Sequence, residues 1–121
     1  MSSAILTGTT AERFARAVQQ KLSGEYDEAE NLLMSIIREE PSNAEAFHEI
    51  GLVYSFRVHD NTLPALEKAV YLAPTNVKYI VTLGKTYAMF GEDDKARVAF
   101  NRALELDPFN DEAQKNLSYL G

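Results

Sequence analysis

The sequence predicts an all-α fold of seven helices, three antiparallel pairs followed by one terminal helix. Three observations predict it. Pro41, Pro74 and Pro108 punctuate the chain at intervals of 33 and 34 residues, and other residues keep the same beat. Gly51 and Tyr54 recur as Gly84 and Tyr87, Leu33, Leu66 and Phe100 fall in step, and so do Ile36, Ala69 and Ala103. A fixed period of this length marks stacked units, none of which can bury its apolar face alone. Helix start and stop signals alternate from about residue 10 to the end, and strand-type alternation is absent over any useful length.

Residues 1–9 form an N-terminal segment ahead of the first unit, 10–43. Thr9-Thr10-Ala11-Glu12 has capping-box spacing, so the first helix starts there. Gly24 falls mid-unit, where a tight turn between two helices wants a residue tolerant of positive φ. The proline at 41 pushes its predecessor out of helical geometry, so the second helix stops by Glu40. This unit has two possible registers. Counting back from Gly24 puts Arg13, Arg16 and Gln20 on the face to be buried. Matching Ala11-Glu-Arg-Phe14 to Ala44-Glu-Ala-Phe47 instead puts Phe14, Ala17 and Val18 inside. The second register removes Phe14 and Val18 from water, a gain of about a few kcal/mol, and is the one expected.

In the second unit, 44–76, Ser42-Asn43-Ala44-Glu45 has capping-box spacing. Phe47, Ile50, Gly51 and Tyr54 share one face of its first helix. A glycine inside a helix costs ~1 kcal/mol, which close approach of a partner helix must offset. Its second helix carries Pro64 in the first turn, where proline is tolerated, and stops by Ala73. The third unit, 77–110, opens at Asn76, two residues after a proline, and repeats the face as Ile80, Leu83, Gly84 and Tyr87. Gly91 marks its turn. Ala96, Phe100 and Ala103 give a small-large-small face on its second helix, which stops by Asp107. Asn110 then caps a terminal helix in 111–121, whose Ala113, Leu117 and Leu120 supply an inward face that closes the stack.

This pattern resembles the tetratricopeptide repeat family: a large apolar residue, then Leu-Gly, Tyr, Ala, an aromatic, Ala and Pro over 34 residues. The third unit matches it almost throughout, through Ile80, Leu83-Gly84, Tyr87, Gly91, Ala96, Phe100, Ala103 and Pro108. The second matches at Phe47, Gly51, Tyr54, Ala69 and Pro74, but it lacks one residue between Tyr54 and Thr62, has no turn glycine, and puts Thr62 where alanine is usual. The resemblance covers about 110 of the 121 residues. It implies a right-handed superhelix of helix pairs whose first helices line a concave groove for an extended or helical peptide.

Composition narrows the function. The chain has 121 residues, 45% hydrophobic and 25% charged, the balance of an ordinary globular protein. It has no cysteine, which removes disulfides, thiolate metal sites and cysteine nucleophiles together. A net charge of -6 argues against nucleic acid and anionic membranes as partners. No apolar run approaches the ~20 residues that span a bilayer, and residues 1–10 lack the charge and apolar core of a secretory signal. The default expectation is a soluble, cytoplasmic protein without cofactor or metal.

Motifs that suggest chemistry fall short of it. Leu83-Gly84-Lys85-Thr86 ends like a phosphate-binding loop, but Tyr79 occupies the position of the required first glycine and the segment lies inside a helix. Glu45 and His48 have the spacing of a bundle di-metal ligand pair, yet no second copy exists, since His59 has no glutamate three residues earlier. No serine base is evident, so the expectation is no enzyme. The acids Glu25, Asp27 and Glu28, and Glu92, Asp93 and Asp94, open second helices, where they complement the helix dipole. Asn116-Leu-Ser118 fits a glycosylation acceptor and is expected to be chance.

What remains is a binding surface, the stripe opposite the buried one. It contains Glu45, His48, Glu49, Leu52, Ser55 and Phe56 in the second unit, and Lys78, Val81, Thr82, Lys85, Ala88 and Met89 in the third. The terminal helix adds Glu112, Lys115 and Tyr119, and the expected register adds Ala15, Arg16, Gln19 and Leu22. A local reading, in which Leu52 and Phe56 merely pack against the neighbouring helix, stands beside it. The ligand expected is a peptide or helix of another protein with apolar side chains for Leu52, Phe56, Val81 and Met89 and an acidic group for Lys78, Lys85 and Lys115. The alternative is self-association through the terminal helix or residues 1–9. The resembled family includes heat-shock co-chaperones that clamp a C-terminal carboxylate with lysine, asparagine and arginine. Their positions fall here on Ala15, Gln19, Glu49, Lys78 and Thr82, or on Phe14 and Val18 in place of the first two. Only Lys78 fits, so that clamp is not expected.

Overall fold

The computed structural model describes residues 7–57 and 60–120, and its described residues form seven α-helices and no strand. They are α1 Thr10–Leu22, α2 Tyr26–Glu39, α3 Ala44–Phe56, α4 Thr62–Leu72, α5 Val77–Met89, α6 Asp93–Leu106 and α7 Asp111–Leu120. His59 and residues 1–6 of the N-terminal segment lie outside the described residues. The chain divides after Leu72 into two compact units. In the first, α1 packs on α2, α2 on α3 and α3 on α4; in the second, α6 packs on both α5 and α7.

The ends of the helices follow from single residues. Thr9 accepts from the Glu12 amide at 3.1 Å while the Glu12 carboxylate accepts from the Thr9 amide at 3.0 Å, the reciprocal box expected. At α3 the cap is Asn43, not Ser42: its side chain accepts from the Ala46 amide at 2.9 Å. The reason is position, since Asn43 directly precedes the first helical residue. Asn76 and Asn110 do the same for the amides of Tyr79 and Ala113. Glu40 and Asp107, each before a proline, leave helical geometry at ψ 77 and 86. Gly24 and Gly91 turn the chain at φ 79 and 78. α4 has 11 residues where α2 and α6 have 14, so the second pair begins its return helix late.

Two glycines let helices approach. A Cβ on Gly51 would stand 2.4 Å from Leu66 Cδ2, and one on Gly84 would stand 2.8 Å from Phe100 Cε1. The core of the first unit runs through Ala17, Leu32, Leu33, Ile36, Ile50 and Val53, with Phe14 and Tyr26 packed against it. That of the second holds Ile80, Leu83, Phe100, Ala103 and Ala113.

The expected register of the first helix is corrected. Arg13 is 5% exposed and Ala17 1%, whereas Phe14 and Val18 are only half-buried. Arg13 thus takes the place of Ile80, and Ala17 that of Gly84. Its guanidinium is compensated: it donates to Ser35 Oγ at 2.9 Å and to the Gly8 carbonyl at 3.1 Å, and it pairs with Glu39. Partners of this kind make burial of a charge tolerable, so the transfer term that favoured Phe14 and Val18 did not decide.

Candidate functional site

The candidate surface follows from the first helix of each pair. α1, α3 and α5 each have 13 residues, and their last residues are Leu22, Phe56 and Met89. All three are exposed, at 71%, 60% and 70%. One exposed apolar side chain needs no explanation. Recurrence at the same helical position in all three pairs does, because core packing does not hold these residues there.

In the first unit, Phe56 stacks one face on Tyr26, with ring centroids 5.6 Å apart and planes 17° from parallel. Leu52 is half-buried one turn earlier. Local packing therefore accounts for one face of Phe56 and leaves the other open. Arg57 beside it is held by Asp27 at 2.8 Å and Glu30 at 3.3 Å. Lys21 of α1 and Glu49 of α3 pair at 2.7 Å, each with a side chain 12% exposed, and this tie joins the two helices in mid-face. Toward the helix starts an open cavity of about 240 Å³ is lined by Thr10, Ala11, Phe14, Asn43 and Glu45. Another, of about 220 Å³, lies between α2, α3 and α4, where Met34, Ile37, Phe47 and Pro64 meet Tyr54. It sits beside the late start of α4. Burial, then the Glu30 charge, pushes the Tyr54 phenol above its usual range.

In the second unit, Lys85 of α5 pairs with Glu112 of α7 at 2.6 Å. Met89 lies one turn past Lys85 on α5, and Lys115 and Tyr119 share the side of α7 that carries Glu112. Arg97 of α6 fixes the far end of α7 by donating to the Leu120 carbonyl at 2.9 Å. Lys78 and Lys115 are exposed and make no ion pair among the described residues.

Of the residues expected on the surface, Gln19, Glu45, Phe56, Lys78, Lys85, Met89 and Lys115 are exposed and Leu52 is half-buried. His48 and Val81 are corrected: they are 2% and 3% exposed. A first helix has neighbours on two sides, so its buried arc is wider than one stripe, and these residues lie within it. With His48 enclosed, the Glu45–His48 pair presents no joint surface, and the described residues hold no cluster of three metal-ligating side chains. Register correction also changes which α1 residues share the face. They are Ala11, Phe14, Ala15, Val18 and Lys21 beside Leu22, so Ala15 keeps its expected place while Arg16 and Gln19 leave the face. The signal that finds them is Gly24, counted back as Gly91 is to α5.

Comparison with known proteins bears on the repeat and the fold. Residues 77–110 match the family model described as Tetratricopeptide repeat. Protein O-mannosyl-transferase TMTC1 is 31% identical over 110 residues in Mus musculus and 30% in Homo sapiens. The match takes in 87% of this chain, which spans 12% of the length of these curated relatives. Among solved structures, the first TPR of Spaghetti (RPAP3) bound to HSP90 peptide SRMEEVD has a TM-score of 0.85 at 20% identity, over 92% of this chain and 89% of that one. The Sgt2 TPR domain from Aspergillus fumigatus gives 0.84 at 17%, over 94% and 78%. The Arabidopsis OM64 TPR domain gives 0.82 at 18%, over 92% and 93%. At these identities the likeness is one of fold. No helix among the described residues is long and apolar enough to cross a membrane.

Proposed function

The chain carries a tetratricopeptide repeat at 77–110 and has the fold of tetratricopeptide-repeat domains, and from that premise we propose that it is a non-catalytic scaffold holding a peptide or helix of another protein on its first helices. The observation that carries this reading is the recurrent exposed apolar residue, Leu22, Phe56 and Met89, at the end of α1, α3 and α5. Aromatic and methionine side chains held open in this way are anchors for a partner's apolar residues. In the second unit Lys78, eleven residues before Met89 on the same side of α5, and Lys115 of α7 are exposed with no ion pair among the described residues, which suits an acidic group on the ligand.

The ligand differs from the peptide in the Spaghetti structure. At the positions the carboxylate clamp needs, the observed register gives Phe14, Val18, Glu49, Lys78 and Thr82. Glu49 is already paired with Lys21. Four changes, to lysine at 14, asparagine at 18 and 49 and arginine at 82, would be needed before a terminal carboxylate found its donors.

Affinity capture with mass spectrometry tests the proposal, comparing the wild-type chain with Phe56→Glu and Met89→Glu. Both side chains are exposed, so helix content should persist by circular dichroism. The expected result is a set of proteins retained by wild type and lost by both variants. An identical set in all three removes the first-helix surface from consideration. Self-association is the second reading, favoured by Tyr119 and Phe109, 77% and 87% exposed on α7 and the loop before it. A sedimentation profile that stays monomeric at high concentration, with or without Tyr119→Glu, disposes of it.

A further inference from the structure

We propose that the cavity between the starts of α1 and α3 receives a lysine or arginine side chain of the partner segment, whose apolar anchor about five residues away rests on Phe56. This rests on the scaffold reading above and names what the first unit selects.

The cavity's floor is apolar. Phe14 is packed against the core of the first unit, and Ala11 lies one turn before it. Its rim is anionic. Glu45 lines it, is exposed, and has no ion pair among the described residues. The Glu40 carboxylate is fastened there by two lining residues: it accepts from Thr10 Oγ1 at 2.7 Å and from Asn43 Nδ2 at 2.8 Å. Those bonds, with a smaller contribution from the Arg13 charge, hold its carboxyl below the usual range, so it is ionised at neutral pH.

Every basic side chain of α1 is engaged elsewhere. Arg13 is taken by Glu39, Ser35 and the Gly8 carbonyl, Arg16 donates to the Thr7 carbonyl, and Lys21 pairs with Glu49. Helix α3 has no lysine or arginine and its His48 is enclosed, Arg57 after it serves Asp27 and Glu30, and the exposed Arg38 of α2 is not among the residues that line the cavity. The cavity therefore offers two carboxylates over an aromatic floor with no lysine or arginine among its lining residues. A long basic side chain satisfies both parts: its methylenes cover Phe14 and Ala11 while its head reaches the carboxylates and the ring face. An acidic side chain or a chain terminus of the same sign is repelled.

The second contact follows from helix geometry. Glu45 and Phe56 are eleven residues apart on α3, which is about 16 Å at ~1.5 Å per residue. An extended segment advancing ~3.3 Å per residue covers that in about five residues.

Selection from a library of random twelve-residue peptides tests this, with wild type, Glu45→Lys, Glu45→Gln and Phe56→Glu as baits. The expected result is enrichment of peptides with lysine or arginine about five positions from a large apolar residue. Their affinity should fall about ten-fold in Glu45→Gln and further in Glu45→Lys, and also with added salt. Peptides lost by Phe56→Glu but indifferent to both Glu45 variants, or without basic bias, overturn the inference and leave the scaffold reading standing. No enrichment, or peptides that bind all four baits alike, overturn both. Glu45→Gln keeps the side chain's shape, so a folding defect in Glu45→Lys alone does not shield the proposal.

Discussion

The first and third helix pairs share a frame and differ in what fills it. In each, a first helix of 13 residues is followed by a second of 14, across a glycine at φ 79 or 78. In each the second helix starts at a glutamate, Glu25 or Glu92, whose side chain makes no cap bond. Yet Arg13 stands where the third pair has Ile80, Glu39 where it has Leu106, Ala17 where it has Gly84, and Leu33 where it has Phe100. The frame is thus set by caps, turn glycines and prolines. The interior has only to fill its volume and satisfy its polar groups, and it does so in two chemically different ways.

The largest effect comes from filling the third pair beyond its volume. A Cβ on Gly84 already meets three atoms of the Phe100 ring at 2.8 to 3.0 Å. Gly84→Leu should therefore cost about 3 kcal/mol or more in chemical denaturation. Gly84→Ala should lose about 1–2 kcal/mol, and adding Phe100→Leu should recover part of it, since the first pair houses Ala17 opposite Leu33. A double mutant no better than the sum of its singles would show that the two interiors do not trade volume in this way. Gly91→Ala meets nothing within 4 Å and should lose only about 1 kcal/mol, the strain of its positive φ.

A smaller effect should come from exchanging the polar interior for the apolar one. Glu39→Leu leaves a guanidinium whose side chain is 6% exposed without its carboxylate. The loss should be about 2 kcal/mol, below the roughly 3–5 of a fully buried pair, because Glu39 itself is 56% exposed. Arg13→Ile/Glu39→Leu copies Ile80 and Leu106 and should restore wild-type stability or exceed it. Ser35 stays satisfied, since its hydroxyl donates to the Leu32 carbonyl at 2.6 Å. If the double variant melts with the single one, the ion pair is doing more than occupying apolar space.

Those two interiors also explain what could be read from the sequence. Helix number, stops and turns were legible because Pro41, Pro74, Pro108, Gly24 and Gly91 act through backbone geometry, which needs no knowledge of neighbours. The register of α1 was not, because an arginine at a core position scores as surface until Ser35, Glu39 and the Gly8 carbonyl are seen around it. Thr9 and Gly24 carried the answer, standing where Asn76 and Gly91 stand. The exposure of Phe56 and Met89 could be read from helical spacing. That of His48 and Val81 could not, because burial by two neighbours widens the covered arc beyond the stripe that periodicity marks. Glu40 at the cavity rim was invisible for a further reason: its carboxylate meets Thr10, thirty residues earlier, only once α1 and α2 are folded together.

The smallest effect distinguishes how the two pairs begin. Thr9 and Glu12 cap each other, whereas Asn76 caps with Tyr79 at the third position and no reciprocal acid. The Glu12 carboxyl is held below its ordinary value of 4.5, first by the Thr9 amide, then by the Thr9 hydroxyl and, more weakly, the Arg16 charge. A group whose folded pKa is depressed stabilises the fold above its unfolded pKa, and that contribution disappears as pH falls through the folded value. Glu12→Gln keeps an acceptor for the Thr9 amide and removes only the charge. Its melting temperature should lie below that of wild type at neutral pH, and the two should converge as pH falls from 4.5 downward. Raising salt should leave most of the neutral-pH gap, because hydrogen bonds lower the pKa more than the Arg16 charge does. A gap that is constant from pH 7 to strong acid would mean that the ionised carboxylate contributes nothing to the start of α1, and that the two pairs begin alike.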